Sequence, residues 1–109
     1  MNKVYVVNGI TTTLYDDGTD FNTASVHTTE SGAIKGLRAE IDNRCATLKE
    51  DFMEQFNDED YAEDFDGYDT FEEFWDDWVK ENTCTPTYWC YSTAELMITI
   101  FVKEVELCE

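Results

Sequence analysis

The side chains with the greatest chemical capacity are carboxylates, and they are crowded into one stretch. Between Glu50 and Glu81 lie Glu50, Asp51, Glu54, Asp58, Glu59, Asp60, Glu63, Asp64, Asp66, Asp69, Glu72, Glu73, Asp76, Asp77 and Glu81. Fifteen acids face one base, Lys80, a net −14 within a chain of −18. Carboxylates at this density have three uses: as a general acid and base, as ligands for a hard cation, or as an anionic surface. Acid–base work of the glycosidase kind needs one pair at a set separation, and nothing in the spacing singles out a pair here. Other catalytic patterns are missing too. No serine lies in a nucleophile elbow, and no glycine-rich phosphate loop or dinucleotide fingerprint occurs. His27 is the only histidine. It falls at a predicted strand end with no visible partner, and reads as a surface or hydrogen-bonded residue rather than a general base. The expectation is a protein without catalytic activity and without a cofactor.

One alignment with a calcium-binding loop exists. With Gly67 at the sixth position of an EF-hand loop, Asp64 and Asp66 take the third and fifth, and Glu73 takes the twelfth. The first position is then Ala62, where an aspartate ligand is needed, and the eighth is Asp69, where a branched apolar residue is usual. The plainer reading is a glycine turn before a capped helix. The cysteines, Cys45, Cys84, Cys90 and Cys108, fit no zinc spacing.

The apolar run at the N-terminus, Val4 to Val7, is too short for a signal peptide, and no stretch of ~18 apolar residues could span a membrane. A cytoplasmic protein with reduced thiols is expected. At 109 residues the chain reads as one domain. Hydrophobic residues make up 42% and aromatics 15%, too rich for a disordered acidic tail. The sign of the charge sets the partners: nucleic acid and anionic membranes are repelled, and basic surfaces are attracted.

The elements that must position these acids follow from periodicity. Residues 3–15 are β-branched and aromatic, Asp16-Asp17-Gly18-Thr19 is a hairpin signal, and a second strand runs from about Asp20 to His27. Gly9 is the expected bulge. After a cap in Thr28–Ser31, Ile34, Leu37, Ile41, Cys45, Leu48, Phe52 and Phe56 form one stripe of a long helix, about 30–56, with Gly36 inside it. Residues 57–68 lack a period and read as a loop or short helical turn anchored by Tyr61, Phe65 and Tyr68.

Asp69 is the expected cap of a second helix, with Glu72 reaching back to complete a capping box. Phe71, Phe74, Trp75, Trp78 and Val79 then recur at helical spacing to about Asn82, and read as core rather than as a ligand cage. Pro86 forbids continuation. Thr87–Tyr91 and Glu95–Leu107 read as strands joined at Ser92-Thr93-Ala94, with Trp89 and Tyr91 facing the core. The order is ββ-α-α-ββ: an α+β fold, an antiparallel sheet with two helices packed on one face.

A solvated acidic face is the ordinary meaning of such charges. Three features argue for more. Glu72/Asp76 and Glu73/Asp77 are like-charged i,i+4 pairs, each costing a few tenths of a kcal/mol. The apolar face of the second helix turns its acids outward. Bases that would relieve the repulsion are almost absent. A salt-adapted protein would spread its acids, yet residues 1–49 hold only six. A stiff row of carboxylates at ~6 Å intervals resembles the charge spacing of a polynucleotide.

In composition, and in the segment Asp69-Thr70-Phe71-Glu72-Glu73-Phe74-Trp75-Asp76-Asp77-Trp78, the chain resembles the small acidic DNA mimics of phages and mobile elements, the anti-CRISPR and antirestriction proteins. The resemblance implies an inhibitor in the host cytoplasm that blocks nucleic-acid binding by a basic partner such as a nuclease or CRISPR effector. Its expected contact residues are Asp58, Glu59, Asp60, Glu63, Asp64, Asp66, Glu72, Glu73, Asp76 and Asp77. The alternatives are a phage-type interaction or structural protein whose acidity serves solubility, and a divalent-cation binder.

Overall fold

The computed structural model describes residues 3–13 and 19–107. The Asp16–Gly18 turn and Cys108 of the sequence reading lie outside them. Five strands form one antiparallel sheet in the order β2-β1-β5-β4-β3, with β1 Lys3–Thr13, β2 Thr19–His27, β3 Thr83–Thr85, β4 Tyr88–Ser92 and β5 Leu96–Glu106. Between β2 and β3 the chain forms α1 Glu30–Arg44, α2 Ala46–Phe56, a 3-10 helix Glu59–Phe65 and α3 Phe71–Glu81. The α+β class and the antiparallel sheet match the sequence reading. The ββ-α-α-ββ order does not: the first helix is two helices, residues 59–65 form a further short one, and β3 is added.

The helix layer covers the sheet face that carries Val7, Ile98, Ile100 and Trp89, all buried. Leu37, Ile41 and Cys45 of α1 and Trp75, Trp78 and Val79 of α3 complete this core. The apolar stripe runs on through Leu48, Phe52 and Phe56, which is why periodicity alone shows one helix. The backbone bends at Cys45 (φ −98°, ψ 19°) while the hydrogen bonds continue across it, Cys45 to Ile41 and Lys49 to Cys45, each 2.9 Å. The bend sends α2 away from the strands and onto α3 and the 3-10 helix.

Gly9 is not the bulge. Val7 pairs with Ser25 and Asn8 with Thr23, so the extra residue is Ala24 of β2. Gly9 instead lies beneath a buried arginine. A Cβ at Gly9 would stand 2.6–2.8 Å from the Arg44 guanidinium. That group is held by Thr11 Oγ1 (2.7 Å) and lies 3.6 Å from Glu40, itself buried. Overpacking a fixed group costs about 1–3 kcal/mol. Gly9→Ala is therefore expected to lower the unfolding free energy by that amount in urea titration, with the denaturant slope unchanged.

Cys45, Cys84 and Cys90 are free thiols. Burial, with the Asp42 carboxylate adding to it, pushes the Cys45 thiol up from 9.0 to about 12. Its stability contribution is intact below the unfolded value of 9.0 and is lost as pH rises towards about 12, because only the unfolded chain releases the proton in that window. At mildly alkaline pH, iodoacetamide is expected to label exposed Cys84 and to spare Cys45 until denaturant is added, read by peptide mass mapping.

Candidate functional site

The acids are positioned by an aromatic wedge. At ~100° per residue, Phe71, Phe74, Trp75, Trp78 and Val79 occupy one side of α3. Glu72, Glu73, Asp76, Asp77 and Lys80 span an arc of ~140° on the other. Trp75 stacks on Trp78 at 4.8 Å, and Trp78 meets Trp89 at 5.7 Å and Tyr91 at 4.9 Å. With that side sealed against the sheet, the acidic side faces solvent.

The N-terminus of α3 is capped one residue later than expected. Thr70, not Asp69, is the cap: its Oγ1 accepts from the Glu73 N–H at 3.2 Å, and Glu73, not Glu72, reaches back to accept from the Asp69 N–H at 3.2 Å. A threonine and a glutamate three residues apart have capping-box spacing, with the carboxylate here taking the N–H one residue before the cap. At the other end Trp89 Nε1, Asn82 Nδ2 and Thr83 Oγ1 donate to the carbonyls of Val79, Trp78 and Val79, satisfying acceptors that a helix end leaves free.

The 57–68 stretch is pinned to α3 from the side. Asp58 accepts from the Asp60 N–H at 3.0 Å and caps the 3-10 helix. Phe65 inserts between Phe56 (5.5 Å) and Phe74 (4.8 Å), and Tyr68 packs on Phe74 at 5.6 Å. Gly67 then reverses the chain at φ 95°, a conformation that L side chains rarely adopt. The Tyr68 hydroxyl donates to Asp77 at 2.9 Å, and this bond, more than burial, pushes the Tyr68 phenol up. Tyr61 is not an anchor. It is exposed and lines an open cleft with Asp51, Glu54, Gln55 and Asp58.

All ten residues expected at the site are exposed. Among the described residues, only one of the fifteen acids of the segment is ion-paired: Asp76 meets Arg38 at 2.6 Å. Arg38 also reaches Asp42 at 3.4 Å, and Trp75 Nε1 donates to Asp42 at 2.7 Å, so α1 and α3 are clamped along that flank. Lys49 sits 5.5 Å above the Trp75 ring. The bare charge therefore lies on Glu72, Glu73 and Asp77 of α3, on Glu59, Asp60, Glu63, Asp64 and Asp66, and around the cleft. Asp51 and Glu54 were not expected there. Their signal was local: Asp51, Glu54 and Asp58 follow one another at three- and four-residue steps, which brings them to one side at the end of α2.

No family model, curated protein or solved structure matches this chain. Function rests on the chemistry of the site itself. Among the described residues no three His, Cys, Asp or Glu side chains converge as a metal ion would require, and the supposed calcium loop begins inside the 3-10 helix, which runs to Phe65, and ends inside α3. No helix is long and apolar enough to cross a membrane. His27 accepts or donates a 2.7 Å hydrogen bond with Ser25 Oγ on the helix-covered side of β2.

Proposed function

We propose that the acidic helix layer binds a basic surface with which another protein grips nucleic acid, and so excludes DNA or RNA from it. The chain acts as a non-enzymatic inhibitor of the kind phages and mobile elements direct at host nucleases and CRISPR effectors, working in the host cytoplasm. The supporting observation is the contrast between rigidity and bare charge. Fourteen of the fifteen acids have no ion-pair partner among the described residues, yet their backbone is held by caps and by interlocked aromatic rings. A preorganised row of anions displaces the same counterions from a cationic groove that phosphates displace. A surface built for solubility would intersperse bases among its acids.

Displacement tests this reading. Proteins from a bacterial lysate are captured on the immobilised chain, then challenged with short duplex DNA or with polyglutamate at equal charge. Nucleic-acid-binding proteins are expected to leave with DNA, and to leave progressively as salt rises. Retention through the DNA wash, or equal release by polyglutamate, would overturn it.

A further inference from the structure

The helices cover only one face of the sheet. From the pairing register, Val6, Ile10, Phe21, Val26, Met97 and Phe101 project from the other, and among the described residues no helix packs over them; Val6, Ile10 and Phe101 are half-buried by their strand neighbours. Phe21 is 58% exposed, Val26 59% and Met97 50%. Tyr88, also exposed, stacks on Phe101 at 6.4 Å across this face.

Its charge is as telling as its polarity. The strand residues on this face include one charged side chain, Lys103, and no carboxylate, in a chain with 25 acids against 7 bases. At ~3.3 Å per residue and ~4.8 Å between strands, the face covers roughly 600 Å². The whole face approaches the ~800 Å² per partner of a standard interface; Asn8, Thr12, Thr23, Ser92 and Thr99 share it with the apolar side chains, the mixed composition of an interface rather than of a core.

We propose that this face is covered by a second copy of the chain, the two sheets packing face to face about a two-fold axis. A basic partner would be drawn to the helix layer, not to a face with no acid to offer. A second copy brings the same flat apolar surface, and an isologous contact is self-complementary by symmetry. Sheets packed in this way stand ~10 Å apart. The acids lie on the far side of a helix layer in each copy, in a protein whose thinnest dimension is 18 Å. The two acidic layers are thus separated by more than the ~8 Å over which charge acts in physiological salt. The dimer would display two acidic layers on opposite outer surfaces.

Sedimentation of the full chain at micromolar concentration tests this. The expected species has twice the chain mass, and its dissociation constant falls as salt rises, because screening relieves self-repulsion; acid-to-base binding has the opposite salt dependence. Phe21→Lys and, separately, Met97→Lys are expected to weaken self-association at least tenfold, with far-UV circular dichroism unchanged. Val26→Lys serves if either variant fails to fold. Monomeric wild type in high salt would overturn the proposal. So would a dimer indifferent to all three variants, or a monomer that instead binds neutral phosphatidylcholine vesicles through Phe21.

Discussion

Reversing Glu63, Asp64 and Glu72 together to lysine is expected to weaken partner binding at least ~100-fold, about 2.7 kcal/mol, while the same reversal at Glu30, Glu95 and Glu106 leaves it within a few-fold. Both sets change the net charge equally, and all six positions are exposed. The first set lies in the 3-10 helix and α3; the second lies at the start of α1 and on the sheet hairpin. Glu73 and Asp77 are poorer targets. One completes the cap of α3 and the other holds Tyr68, so changing them mixes charge with stability. Asp76 is already compensated by Arg38. The measurement is competition against a fluorescent duplex for the captured partner, at two salt concentrations. Equal losses for the two sets would mean that bulk acidity, not the helix layer, is recognised.

Trp89→Ala is expected to cost about 3–5 kcal/mol. Trp89 is fully buried in β4, touches the Trp78 ring, and its Nε1 donates to the Val79 carbonyl at 3.0 Å, so it holds the end of α3 on the sheet. Truncation opens a large cavity and removes one of the two side-chain donors to the Val79 carbonyl, leaving Thr83 Oγ1 at 2.8 Å. For a domain of this size the melting temperature should fall by roughly 10–20 °C, a large share of a typical 5–15 kcal/mol stability. Trp89→Phe keeps most of the volume and should lose less than half as much. Urea unfolding followed by circular dichroism decides it. A loss under ~1 kcal/mol for the alanine variant would mean that α3 is held mainly elsewhere.

Much of the architecture was legible because it depends on short-range pattern. The alternation of Leu96, Ile98, Ile100 and Val102 specified a strand with one core face. The spacing of Phe71, Phe74, Trp75, Trp78 and Val79 specified which side of α3 is buried, and hence where Glu72, Glu73, Asp76 and Asp77 point. Other features were hidden, each for its own reason. Thr70 and Asp69 both cap well and have an acid three residues on, so the cap was placed one residue early; local chemistry there is nearly degenerate. The bend at Cys45 has no proline or glycine to announce it, and an unbroken stripe of apolar residues crosses it. The short strand Thr83–Thr85 has too few residues to show a period.

The amino-acid sequence by itself determined the sign, density and outward aim of the acidic layer. These follow from composition and from a 3.6-residue period, both local. Only the tertiary structure decided which of those charges stay bare. Arg38 reaches Asp76 across 38 positions of chain, a contact that no local period announces. Which sheet face stays open was likewise settled by where the helices pack. Ion pairing and surface coverage depend on distances in space, and a linear pattern carries those only where neighbours in the chain are also neighbours in the fold.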